Sequence, residues 1–184
     1  LRAALSAVEI AQKTNDPNWQ ANAWNDLGSV YFYQEKPGES GAAFSKARNF
    51  ALQSGDANSL MSALRGLTHF YRENGDNVRA LETVQEMETL LPKIKDPTLA
   101  SACLTHFCNI YTVLHRWEKV ELLARRAVQF NLQNRLDQQL PGSYYHLAKS
   151  FERNNALDSA MFYLQKAQRG FSTINNQEEL AGMT

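Results

Sequence analysis

Residues 24–47 read WNDLGSVYFYQEKPGESGAAFSKA. Trp24, Leu27, Gly28 and Tyr31 fall at offsets of three, four and seven, which places them on one face of a helix. Glu35-Lys36-Pro37-Gly38 then supplies turn residues, and Phe44 and Ala47 open a second apolar stripe. The stretch predicts two helices folded back on one another. The same pattern returns three times at a spacing of 40 residues with no insertion or deletion. Its first-helix columns are Trp24/Leu64/Leu104/Tyr144, Leu27/Leu67/Phe107/Leu147, Gly28/Thr68/Cys108/Ala148 and Tyr31/Tyr71/Tyr111/Phe151. Its second-helix columns are Ser40/Ala80/Val120/Ala160, Phe44/Val84/Ala124/Leu164 and Ala47/Met87/Ala127/Ala167.

Small residues in the Gly28 column allow close approach of two helices, and the aromatic column fills the wedge beside the next repeat. Trp24 is read as core. An all-α architecture of stacked hairpins follows, since one hairpin cannot bury its apolar face alone. Residues 1–14 read as the orphan second helix of a preceding repeat, with Ala4 and Ala7 in its columns. Repeats then span 17–54, 57–92, 97–134 and 138–173, and 177–184 begins a further helix. No linker divides the array. Asp16, Asp56 and Asp96 precede first helices as N-caps, and Pro17 and Pro97 take first helical positions. Repeat four carries Leu136-Asp137, its cap shifted by one. His115-Arg116-Trp117, in repeat three, lacks the Gly or Asn of the other turns. The absence of an initiator Met gives the expectation that the chain is cut from something longer.

Composition narrows the function. Nineteen basic residues balance nineteen acidic ones, which argues against nucleic acid as the partner. No stretch has the roughly 20 apolar residues of a membrane span, and no secretory signal is evident. Cys103 and Cys108 point in different directions on one helix; unpaired thiols suit a reducing, cytoplasmic setting. His69, His106, His115 and His146 lack metal-ligand spacing, so no metal site is expected. There is no nucleophile elbow and no glycine-rich phosphate loop. No catalytic residue and no cofactor are expected, and Cys108, in the small column, reads as a buried inert thiol.

The columns resemble the tetratricopeptide repeat, whose pattern W-x2-L-G-x2-Y is matched by Trp24, Leu27, Gly28 and Tyr31, with Phe44 and Ala47 following in the second helix. The resemblance covers essentially the whole chain and is weakest in repeat three. The family repeat is normally 34 residues; here helices of about 18 residues, ~27 Å, account for the extra length. Such long repeats are similar to those of bacterial transcription activators, peptide-pheromone receptors and diguanylate cyclases, of spindle-orientation adaptors and of kinesin light chains. The resemblance implies a right-handed α-α superhelix, first helices lining its concave side, that binds peptides or partner helices and performs no chemistry.

The concave stripe lies roughly 80–180° round from the core centre of each first helix. It comprises Asn22, Asn25, Ser29, Phe32 and Tyr33; Ser62, Arg65, His69, Arg72 and Glu73; Ala102, Thr105, Asn109, Thr112 and Val113; and Gly142, Tyr145, Lys149, Glu152 and Arg153. Cations outnumber anions there, and Tyr33 and Tyr145 are candidate anchors, so the expected partner is a protein or peptide segment with acidic and apolar residues. A chaperone-tail carboxylate clamp is excluded, because its positions hold Asn25, Ser29, Gly66, Ala102 and His106 and lack its cations. Two roles fit: an interaction scaffold within a larger regulatory protein, or the ligand-sensing domain of a transcription regulator or signalling enzyme.

Overall fold

A computed structural model describes the backbone of residues 1–181 and the side chains of residues 1–174. Nine α-helices and two short 3-10 turns make up the regular structure, with no strand among the described residues. The chain divides into two compact units, Leu1–Ile94 and Lys95–Thr184. The first holds α1 (Arg2–Thr14), α2 (Pro17–Tyr33), α3 (Pro37–Ser54), α4 (Ala57–Glu73) and α5 (Asn77–Leu90). The second holds α6 (Pro97–Val113), α7 (Trp117–Gln133), α8 (Leu140–Arg153) and α9 (Leu157–Ala181).

Each hairpin turns in the same way. Glu35, Gly75, His115 and Asn155 are left-handed, at φ 55°, 74°, 55° and 59°. The next residue then donates its N–H to the carbonyl of the aromatic column: Lys36 to Tyr31 at 3.0 Å, Asp76 to Tyr71 at 2.8 Å, Arg116 to Tyr111 at 2.8 Å and Ala156 to Phe151 at 2.9 Å. That bond closes a Schellman motif, which satisfies helix-end carbonyls. Glu35 and His115 adopt the conformation without Gly or Asn, at the steric cost of a β-carbon in that region. The tertiary packing of the hairpin overrides the local preference.

Between repeats Asn15, Gly55 and Arg135 are left-handed too, but the equivalent position after α5 is not. There α5 stops after 14 residues, Leu91–Lys93 forms a 3-10 turn and Ile94 is extended. Pro92 has no N–H to continue the helical ladder. The boundary between the two units falls at this point.

The caps form as the chemistry requires for three helices. Asp16 accepts from the amides of Asn18 and Trp19, Asp56 from Ser59, and Asp96 from Thr98 and Leu99. Asp137 differs from expectation: it opens the 3-10 turn Asp137–Gln139, and α8 starts at Leu140 with no side-chain cap. The other departure is at the end. α9 runs unbroken through position 177, where a new helix was expected to begin, as far as Ala181; residues 182–184 lie outside the described ones.

The column residues make the core. Leu27, Leu67, Phe107 and Leu147 are all buried. Close approach at the small column is visible in two bonds at the same repeat positions. The Ser40 hydroxyl donates to the Gly28 carbonyl at 3.1 Å, and the Cys108 thiol to the Val120 carbonyl at 4.0 Å. Phe44 explains two glycines at once. A methyl added at Gly28 would lie 2.7 Å from its ring, and one at Gly66 closer still.

Trp24 corrects the reading that made it core. It is half-buried, packing with Ala4 and Tyr31 against the cluster Val8, Ala11, Ala23 and Leu27. The Lys46 ammonium lies 4.1 Å from its ring centroid. Lys166 sits over Tyr144 in the same way, 5.2 Å away and at the same offset within its repeat. The aromatic column is capped likewise, by Lys36, Arg79, Lys119 and Arg125 over Tyr31, Tyr71, Tyr111 and Phe151. Trp24→Ala should therefore cost about 2 kcal/mol in urea denaturation. That is below the ~3–5 kcal/mol of a fully buried tryptophan, because the ring is only half-buried, and the lost contact with Lys46 is part of the cost.

Candidate partner-binding faces

In the first unit α2 and α4 lie side by side and present their stripe residues together. The Ser59 hydroxyl lies between the side-chain oxygens of Asn18 and Asn22, 3.2 Å from the latter. Asn22 is thus tied to α4 at the start of the stripe. Asn25 is half-buried, and Ser29 donates back to the Asn25 carbonyl at 3.0 Å. These two serve the helix more than an incoming ligand.

One to two turns further on the face changes character. The Phe32 ring lies 6.4 Å from His69 and makes an edge contact with Tyr33 at 6.0 Å. Tyr33 itself is 86% exposed, an unusual position for so large an apolar surface. Arg65 is exposed on α4, one turn before His69. Burial first, and then the positive charges of Arg72 and Arg65, push the His69 pKa below its ordinary value, with Glu73 opposing. His69 is thereby held towards its neutral form beside two guanidinium groups.

In the second unit the face is built from α6 and α8. A methyl at Gly142 would lie 3.8 Å from the Thr105 methyl, so the two helices pass close here. Asn109 is exposed on α6, and Tyr145, Lys149 and Arg153 follow one another at four-residue steps along α8. Tyr145 is 41% exposed and meets the buried His146 ring edge-on at 5.7 Å.

Charge on the stripe is less one-sided than its composition. Arg72 pairs with Glu73 at 2.6 Å and Lys149 with Glu152 at 2.8 Å. Arg65 and Arg153 are left as stripe cations without an ion pair among the described residues. Intrahelical pairing therefore redistributes the charge that the sequence places on the stripe.

Nothing among the described residues gathers three His, Cys, Asp or Glu side chains around one point as a metal ion would need. Neither cysteine is in a disulfide and both are buried. Burial pushes the Cys108 thiol up to about 12, which keeps it protonated and unreactive. No helix among the described residues is long and apolar enough to cross a membrane.

No protein-family model and no curated protein matches the sequence. Solved structures do match. BtubC (BKLC) from P. vanneervenii superposes with TM-score 0.80 at 12% identity, over 94% of this chain and 72% of that one. A kinesin light chain-type protein of Podosopora anserina, with nearly identical TPR-like repeats, gives 0.74 at 15% identity, over 94% and 85%. A Signal Transduction ATPase with Numerous Domains from Pyrococcus horikoshii, which carries a tetratricopeptide repeat sensor, gives 0.79 at 19% identity. The fold is an all-α solenoid of the tetratricopeptide-repeat type. In the ATPase the match covers 96% of this chain but only 28% of the other. The tetratricopeptide-type hairpins here are long ones, with first helices of 17 residues in α2, α4 and α6.

Sequence reasoning missed the cations over the aromatic column. A signal was present, since Arg79 and Lys119 occupy the same place in successive repeats.

Proposed function

We propose that this chain is a non-catalytic protein-interaction module of a larger regulatory protein, and that its first-helix faces hold a partner segment with acidic and apolar residues. The observation that carries this is the α2–α4 face. Tyr33 stands 86% exposed beside Phe32, whose ring lies 6.4 Å from His69, and Arg65, unpaired among the described residues, is one turn before His69 on α4. Exposed aromatics next to arginine are the usual anchors of protein interfaces, and a guanidinium pairs well with a carboxylate. A carboxylate arriving there would also raise the His69 pKa and draw a proton onto the ring, which adds a third cation. The second unit offers a similar set in Tyr145, Lys149 and Arg153, with Thr105 and Asn109 contributing less charge. Two cysteines outside any disulfide fit a reducing, cytoplasmic setting.

The test is titration of fluorescent peptides that alternate acidic and aromatic residues, against lysine-for-glutamate counterparts. The acidic series should bind and the basic series should not. Arg65→Ala should weaken binding by about 1–3 kcal/mol, the scale of a lost charged hydrogen bond, and Tyr33→Ala by a similar amount, without loss of helicity. Binding that survives both substitutions would place the partner elsewhere. The likeness to a chain with a repeat sensor favours a second reading, in which the faces receive a ligand that controls an attached output domain. Ligand-dependent activity of such a domain would distinguish the two.

A further inference from the structure

A cleft of about 290 Å³ opens on the first unit between the second helices α3 and α5, away from the first-helix face. Its floor is Leu67 and Tyr71 of α4. One position accounts for it. Forty residues earlier, Val8 of α1 is buried against Leu27, with Tyr31 packed beside it. Leu67 and Tyr71 are the repeat equivalents of those two, but the equivalent of Val8 is Arg48. Its guanidinium leaves the floor and reaches across to Glu86, touching both carboxylate oxygens at 3.0 Å. An apolar plug has become an ion pair that spans the cleft, and the space beside Tyr71 stays open, with Leu67, 4% exposed, at its base.

The cleft lining carries two cations, Arg48 and Arg79, and two anions, Glu82 and Glu86, but they do not pair two by two. Arg48 is committed to Glu86. Arg79 lies over the Tyr71 ring at 5.7 Å and against Asp76 at 3.5 Å. Glu82, on the α5 wall, has neither hydrogen bond nor ion pair among the described residues, and the Tyr71 hydroxyl likewise makes no hydrogen bond. The cleft thus combines an apolar floor, a phenol and one uncompensated carboxylate. We propose that it is a second binding site, for an alkylammonium or guanidinium group on an aliphatic stem, such as a basic side chain of a partner protein. The stem lies against the half-buried Tyr71 side chain beside Arg79, and the head meets the exposed Glu82, the division of labour by which lysine and arginine cover apolar surface while keeping their charge solvated. The same chemistry is offered by a free diamine.

The experiment follows the amide resonances of residues 45–49, 71 and 79–86 in the full chain during titration with acetyl-Gly-Lys-Gly-amide, cadaverine and acetyl-Gly-Glu-Gly-amide. We expect saturable shifts confined to these residues with one or both cations and none with the glutamyl peptide. Saturation by the lysyl peptide alone assigns the site to a protein side chain, and by cadaverine alone to a free amine; either supports the cationic cleft. Glu82→Gln should weaken binding at least about tenfold. The pair Arg48→Val with Glu86→Gln should restore the plug and abolish binding while the helical signal is kept. The proposal is overturned if neither cation saturates up to roughly 10 mM, if the glutamyl peptide competes, or if both variants bind as wild type. Arg65 and Tyr33 lie outside the cleft, so none of these results bears on the first-helix face.

Discussion

Replacing Phe44 by alanine should lower the unfolding free energy by about 3–5 kcal/mol, the range for truncating a buried phenylalanine. The ring is 3% exposed and touches three helices: its own α3, α2 at Gly28 and α4 at Gly66. Two of its walls are therefore glycine positions with no side chain to move into the space. A cavity bounded by helix backbone collapses poorly, which puts the loss towards the upper end of the range. Phe44→Leu should cost about 1–2 kcal/mol, because most of the volume stays. The converse change, Gly66→Ala, should also destabilise, since its methyl would meet the Phe44 ring and force two helices apart. Urea denaturation with comparison of midpoints at constant slope measures all three. A loss below about 1 kcal/mol for Phe44→Ala would mean that the ring does not join the two repeats.

Acid should unfold the second unit through His146. Its ring is 5% exposed, its Nδ1 makes no hydrogen bond among the described residues, and burial pushes its pKa from 6.5 down to about 4. The folded chain therefore holds the ring neutral, while the unfolded chain protonates it below about pH 6.5. Stability from this residue is complete above about pH 6.5, falls progressively as pH drops towards 4, and is fully lost below that. The loss approaches about 3 kcal/mol, from the free energy of such a shift. His146→Leu should leave stability at pH 7.5 within about 1 kcal/mol and flatten the curve between pH 6.5 and 4. Carboxylates add their own acid response in both proteins, so the difference between the two curves isolates the histidine. Parallel curves for wild type and variant would show that the ring is protonated in the folded chain.

The apolar columns were legible because helical burial is periodic. A side chain that recurs at three, four and seven positions must face one direction, whatever it meets there. Hence Leu27, Leu67, Phe107 and Leu147 are core as read, and Gly28 marks a close approach. The left-handed His115 was not legible from turn chemistry, because closure of the hairpin imposes it. Trp24 was misread for a related reason. Its column is apolar on average, but the Trp24 ring is only half-buried and meets the Lys46 ammonium.

The sequence alone determined the helical hairpins and their period of 40 residues. Those follow from local offsets, caps and turn-forming residues, all of which act within a few positions along the chain. Only the tertiary structure decided the division at Ile94, the pairing that leaves Arg65 and Arg153 as stripe cations without an ion pair among the described residues, and the cleft beneath Arg48. These depend on where a side chain ends rather than where it begins. A guanidinium lies several bonds from its backbone and takes whichever carboxylate or ring comes within reach, so Arg48 answers to Glu86, 38 residues away, and not to its own helical neighbours.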